Sequence, residues 1–267
     1  VKPSLEQELE LARAAGVSHP ENLPFLLQPE QPNGQGVLLV HGFSATPREM
    51  RRLGEFLCHH NFTVFAVRLP GHGTTPEDLS ERRTEEWLAA VDRGFQLLTE
   101  NNLKISGIGL STGALLLMKL SLIRRFDNLV LLSPFLQLKH ALAPLADWLS
   151  LLFPYQKREI READQPFYYR RRPLKGIAQI NRLRRQLQDK LQQIKTPVLV
   201  LAAEGDATIS PGTAERLFNR LGSRHKKFHC YGPEVPHVLT TAENPRLEDV
   251  FSRILSFLAA PAVETMD

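Results

Sequence analysis

The sequence predicts an α/β protein: a mostly parallel central sheet with helices on both faces, interrupted by an inserted helical cap. Three observations lead there. Apolar runs of strand length alternate with segments of helical period, the pattern of repeated βαβ units. Each candidate strand is near-continuous in apolar residues through its centre, as strands covered on both faces require. From Leu136 to Lys195 an interval of 60 residues breaks the alternation and reads as helical pieces punctuated by Pro154, Pro166 and Pro173. The expected organisation is therefore a core in two parts, residues 1–135 and 196–267, with residues 136–195 as the cap.

In chain order, SLEQELELARAAGV offers Ser4 and Gln7 as a capping box, followed by Leu5, Leu9 and Ala12 at helical spacing. PFLLQPE has the length of a further strand, and QPEQPNGQG is turn chemistry. The principal strands are GVLLV (36–40), FTVFAV (62–67), KISGIGL (104–110), NLVLLS (128–133), PVLVLAA (197–203) and KKFHCYG (226–232). Helices are expected from Pro47, Thr84, Thr112, Pro211 and Leu247; Pro47 suits a first helical turn, and Glu85 and Glu86 are acids near a helix N-terminus.

Composition narrows the class. The 267 residues are 42% hydrophobic and 23% charged, ordinary for a globular protein, and no run approaches the roughly 18 to 20 apolar residues of a membrane span. Cys58 and Cys230 are too few for a disulfide framework and lack metal-ligand spacing, so both read as buried thiols. The expected location is the cytoplasm or a membrane surface, and a start at Val1 rather than Met leaves room for a leader removed upstream. The net charge of +4 is uneven: residues 136–195 carry thirteen Lys or Arg against five Asp or Glu, an excess of +8 that leaves the rest of the chain at −4. With an acidic core and no recognised motif, a nucleic-acid partner is not expected.

The chemistry starts at Gly109-Leu110-Ser111-Thr112-Gly113. In a strand-to-helix turn of the form G-x-S-x-G the glycines permit a sharp bend that lifts the serine hydroxyl to the edge of the sheet. Alone the motif is weak, and Ser-x-Gly also suits a plain helix cap; here it follows a strand pattern and opens a helix pattern, the setting a nucleophile needs. A serine hydroxyl requires an imidazole base, and the base a carboxylate that fixes its tautomer. Asp206 lies in EGDATISPG after the strand PVLVLAA, with Glu204 as the rival acid nearer the strand. His237 lies in PEVPHVLTTAENP, in a loop before the last helix and after the acid, the right place for the base; of the other eight histidines, His225 and His229 fall within or beside the strand and the rest precede the acid or lie in other loops. Two backbone donors for an oxyanion are expected at the amides of Thr112 and of Phe43, in HGFSATP. This chemistry calls for no metal or organic cofactor.

HGFSATP, RLPGHGTTPEDL, GIGLSTGA, LAAEGDATIS and VPHVLTTAENP together resemble the α/β-hydrolase superfamily, and within it bacterial monoacylglycerol lipases and small carboxylesterases, over about Gly36 to Leu258. The resemblance implies a sheet core beneath a mobile cap and hydrolysis of carboxylic esters with medium or long acyl chains. It assigns Ser111 as nucleophile, Asp206 as orienting acid, His237 as base and the Phe43 and Thr112 amides as oxyanion donors, and it makes His72 in PGHG structural. The chain departs from the family at Thr112, where a larger apolar residue is common, and at Ala114, where a second glycine is common.

The cap joins an apolar stretch, LAPLADWLSLLFPY with Trp148, Phe153 and Tyr155, to the basic runs YYRRRPLKG and RLRRQLQDK. The apolar face suits an acyl site, and the basic runs suit either a solvated helix face or peripheral contact with an anionic membrane surface. The expected partner is a small-molecule ester; no oligomeric state follows from the sequence. A thioesterase, amidase or acyltransferase would use the same triad, whereas a non-catalytic binding protein on this fold would have no need of all three groups.

Overall fold

The computed structural model describes residues 2–100, 102, 104–136, 154–209 and 211–260. Ser4 caps α1 (Leu5–Ala14) reciprocally with Gln7, each side chain accepting from the other's amide at 3.2 Å. The helix turns Ala12 and Glu8 inward, and the buried Glu8 carboxylate is paired with Arg93.

The strands are β1 (Phe25–Leu27), β2 (Gln35–Val40), β3 (Thr63–Val67), β4 (Lys104–Leu110), β5 (Asn128–Leu132), β6 (Tyr155–Lys157), β7 (Arg171–Pro173), β8 (Val198–Ala203) and β9 (Lys226–Tyr231). Seven of them form one sheet in the order β1-β3-β2-β4-β5-β8-β9, parallel except for β1, which runs antiparallel to β3. The helices after α1 are α2 (Arg51–His59), α3 (Pro76–Glu81), α4 (Thr84–Thr99), α5 (Thr112–Leu120), α6 (Leu174–Gln188), α7 (Pro211–Arg220) and α8 (Leu247–Leu258).

Both faces of the sheet are covered, which is why its strands read as unbroken apolar runs. Leu38 and Val40 of β2 pack with Trp87 of α4, Leu116 of α5 and Leu183 of α6. Val37 and Leu39 point the other way, toward Leu53 and Leu57 of α2 and Val250 and Ile254 of α8. Register then fixes where function can sit. Val40 pairs with Gly109, Leu110 with Leu132, Leu132 with Leu201 and Ala203 with Tyr231, so five parallel strands end along one edge. The loops bearing Phe43, Ser111, Ser133, Asp206 and His237 all follow those ends, the usual place for ligands in an open parallel sheet.

Differences from expectation are local. The helix expected from Pro47 begins as a tighter turn, Pro47–Met50, before α2. Helix α3 was not expected, because PEDLSE buries a single apolar residue, Leu79, and shows no periodicity; Pro76 in its first turn and the Thr75 hydroxyl, accepting from the Asp78 amide at 3.0 Å, start it instead. The interval between β5 and β8 holds an antiparallel hairpin, β6-β7, as well as α6, so an all-helical insertion does not describe it. Most of LAPLADWLSLLFPY, with Trp148 and Phe153, lies outside the described residues, whereas Tyr155 opens β6. Among the described residues no helix is long and apolar enough to cross a membrane.

Candidate active site

Ser111 sits between β4 and α5 at φ +55°, a conformation rare for any residue with a Cβ. Its amide donates to the Leu132 carbonyl at 2.8 Å, but its hydroxyl does not cap α5 and makes no hydrogen bond among the described residues. The plain-cap reading therefore fails. The flanking glycines are sterically required: a Cβ on Gly113 would lie 2.2 Å from the Val40 carbonyl oxygen, and one on Gly109 would lie 2.5 Å from the Gly113 carbonyl carbon. The strained turn is held by close packing around it.

Asp206 follows β8 and is 1% exposed. Its Oδ1 accepts from the Thr208 and Ile209 amides at 2.7 and 2.8 Å, and its Oδ2 accepts from His237 Nδ1 at 2.5 Å. Two amides thus aim one carboxylate oxygen at the imidazole. With the proton on Nδ1, the other ring nitrogen carries the lone pair a general base needs. The rival Glu204 is exposed, one alternation nearer the strand.

The end of β5 joins serine and histidine. Leu132 takes the Ser111 amide, and the next residue, Ser133, donates its hydroxyl to the His237 carbonyl at 2.8 Å. Ser133 is fully buried and also at positive φ, +46°. Nothing in NLVLLS distinguishes it before the two loops are seen to meet there.

The HGFS loop is held from three sides. The Gly42 amide donates to Glu49 Oε2 at 2.8 Å, His41 Nδ1 bonds the Gly42 carbonyl at 2.8 Å, and the Leu69 amide donates to His41 Nε2 at 3.2 Å. The Phe43 amide, next in the chain, meets no acceptor among the described residues; neither does that of Thr112, the first residue of α5. Glu49, 4% exposed, had no sequence signal beyond an acid near a helix start, yet it also accepts from the Tyr168 hydroxyl at 3.2 Å and lends its own carbonyl to Thr240. Burial pushes its carboxyl up, against the Gly42 N–H and the neighbouring His237. From the insertion, the Tyr169 amide donates to the Ser44 carbonyl at 3.1 Å and Arg172 Nε donates to the Ser44 hydroxyl at 3.2 Å.

His41 and His72 stack edge to face, centroids 5.0 Å apart, and both are fully buried. His41 accepts a backbone N–H and so must be neutral; burial lowers its pKa to about 4, and burial together with the His41 imidazole lowers that of His72 well below the usual value. The unfolded chain, with ordinary histidines near 6.5, binds these protons first. Stability is thus fully present above pH 6.5 and is lost as the pH falls toward 4, by on the order of 3 kcal/mol for His41 alone. Glu49 acts in the opposite sense, one carboxyl against two imidazoles. The urea midpoint is expected to fall steadily from pH 6.5 to pH 4; a level midpoint across that range would contradict these roles.

A family model described as serine aminopeptidase, S33, matches residues 31–243. The chain belongs to this family, and so to the α/β-hydrolases. Among the relatives of this S33 family member is a thermostable monoacylglycerol lipase of Bacillus sp. (strain H-257), 30% identical over 196 residues, 72% of this chain and 78% of the relative. A carboxylesterase of Bacillus subtilis (strain 168) is 26% identical over 211 residues, 77% of this chain and 85% of that protein. Solved structures share the fold: one of the metagenome-derived lipolytic enzymes LipS and LipT superposes with TM-score 0.80 at 24% identity, over 90% of this chain and 98% of its own. The monoacylglycerol lipase of Paleococcus ferrophilus does so with TM-score 0.73 at 21% identity, over 88% and 97%.

Proposed function

We propose that this α/β-hydrolase is a carboxylic ester hydrolase acting through Ser111, His237 and Asp206 on monoacylglycerols or similar lipid-like esters. The observation that carries the reading is the conjunction at one sheet edge: a serine held at positive φ with a hydroxyl unengaged among the described residues, and, on a loop tied to the same strand end, a histidine already bonded to a buried carboxylate. His237 takes the Ser111 proton as the hydroxyl attacks the ester carbonyl. The oxyanion is met by the free amides of Phe43 and Thr112, where each such donor contributes about 3 kcal/mol to the transition state. His237 returns the proton to the leaving alcohol, and water, activated the same way, releases the acid from the acyl-enzyme. The names of the two Bacillus relatives support esters as the substrate class, and that of the monoacylglycerol lipase supports the glyceride.

Residues 136–195 form a cap over this site in the same reading. The bonds from Tyr169 and Arg172 to Ser44 support it, as does Gly176 of α6, where a Cβ would lie 2.5 Å from the Phe43 ring. Hydrolysis of a p-nitrophenyl ester series from C2 to C16, with a monoacylglycerol alongside, tests the function: turnover is expected to favour medium or long chains and to include the glyceride. No turnover of any ester, with cleavage of an aminoacyl amide instead, would favour the peptidase activity in the family's description.

Peripheral contact with an anionic membrane surface belongs to the same proposal. Arg182, Arg185 and Lys190 are exposed at the C-terminal half of α6 and just beyond it. Binding to anionic vesicles is expected to weaken steeply with salt; weak, salt-insensitive binding would remove the membrane from the account.

A further inference from the structure

The insertion is rich in cations, and three of those around the hairpin have carboxylate partners. Arg171 pairs with Glu77, Lys175 with Glu81, Arg161 with Asp164 and Glu243, and Arg48 on the facing wall with Glu21. Arg158 and Arg172 have none among the described residues. Both lie on the β6-β7 hairpin, where Gln156 pairs with Arg172 and the Arg158 amide donates to the Arg170 carbonyl at 2.8 Å. Alternation then puts residues 156, 158, 170 and 172 on one face, and Arg171, over the Tyr155 ring, on the other.

That first face is turned to the catalytic loops. Arg172 reaches the hydroxyl of Ser44, the residue after the oxyanion donor Phe43. Arg158 lies 5.4 Å over the Tyr168 ring and lines a 750 Å³ cavity together with Tyr168, Glu49 and His237, whereas Arg172 stands against Ser44 outside the cavity wall; of the other carboxylates in that wall, Glu21, Asp164 and Glu243 are taken by Arg48 and Arg161. Glu49, whose charge both arginines feel, is already engaged by the Gly42 amide and the Tyr168 hydroxyl. Burial and the neighbouring Arg158 charge lower the Arg172 guanidinium to about 10, the direction that an unpaired, crowded cation takes. A largely buried guanidinium without a carboxylate partner, as at Arg172, is costly, and a bound anion would offset that cost.

We propose that Arg158, with the charge of Arg172 behind it, forms a subsite for an anionic phosphate or carboxylate on the alcohol side of the ester. The proposal rests on the reading of Ser111 and His237 given above: His237 protonates the departing alcohol, so the cavity it shares with Arg158 receives that part of the substrate. Arginine's planar fork suits either oxyanion, and charge-assisted bonds of this kind are about twice as strong as neutral ones.

Three octanoyl esters differing only in the alcohol test it: 1-octanoylglycerol, 1-octanoylglycerol 3-phosphate and the octanoyl ester of glyceric acid. Calorimetry on Ser111→Ala protein reads binding without turnover, and wild-type hydrolysis of p-nitrophenyl butyrate is followed alongside. At least one anionic ester is expected to bind about tenfold or more tightly than the neutral one. That ratio should collapse toward one in the Ser111→Ala/Arg158→Gln double variant, and the two anionic probes distinguish phosphate from carboxylate. Equal binding of all three, or a preference that Arg158→Gln leaves untouched, overturns the subsite. Absence of p-nitrophenyl butyrate turnover in the wild type, with the anionic preference intact, counts against the triad and not against the subsite.

Discussion

Ser111→Ala is expected to lower kcat/KM for p-nitrophenyl butyrate by roughly 10⁵-fold or more, the scale of losses on removing a nucleophile that acts as a unit with its base. The thermal transition should stay close to that of the wild type. The Ser111 hydroxyl makes no hydrogen bond among the described residues, while the backbone that creates the turn is held by the Leu132 carbonyl and by the contacts of Gly109 and Gly113. A variant with unchanged turnover would move the nucleophile elsewhere. A variant that lost activity only by unfolding would show it in the melting curve.

The second large effect belongs to Asp206→Asn, expected to cost on the order of 10⁴-fold in kcat. An asparagine oxygen still accepts from the Thr208 and Ile209 amides, so the loop should keep its shape. The NH₂ group then faces His237 Nδ1 and donates to it. The imidazole must carry its proton on the other nitrogen, and a base with no lone pair toward the serine does no work. Circular dichroism and melting temperature near wild type, with kcat collapsed, is the expected pair of results; a loss of less than about tenfold would mean that another group orients His237.

The places these two residues take in the fold were legible in the sequence because the turn and loops that hold them constrain their neighbours. Gly109 and Gly113 are required by contacts of 2.5 and 2.2 Å, so the turn leaves a written motif, and the doubly buried strands before it leave unbroken apolar runs. Asp206 and His237 were legible by order along the chain and by the loops they occupy. Ser133 and Glu49 were not. Each acts by bridging segments distant in sequence, Ser133 to His237 and Glu49 to Gly42 and Tyr168, and no local pattern encodes such closure. The β6-β7 hairpin escaped for another reason. Its strands are three residues each, rich in Arg and Tyr, and too short to show alternation against a basic background.

The hairpin also changes what the basic character of residues 136–195 means. Read as composition, the excess of +8 suggested a solvated face or a membrane surface. In the fold it divides. Arg171, Lys175 and Arg161 are neutralised by Glu77, Glu81, Asp164 and Glu243, whereas Arg158 and Arg172 turn toward the catalytic loops unpaired among the described residues.

The proposed mechanism stands on Ser111 as a nucleophile activated by the His237–Asp206 pair. Reaction with a fluorophosphonate, followed by digestion and mass mapping of the adduct, tests it most directly. One adduct is expected, on the peptide carrying Ser111, absent in Ser111→Ala and formed far more slowly in Asp206→Asn. An adduct on any other residue, or full ester turnover in protein that the probe does not label, would contradict it.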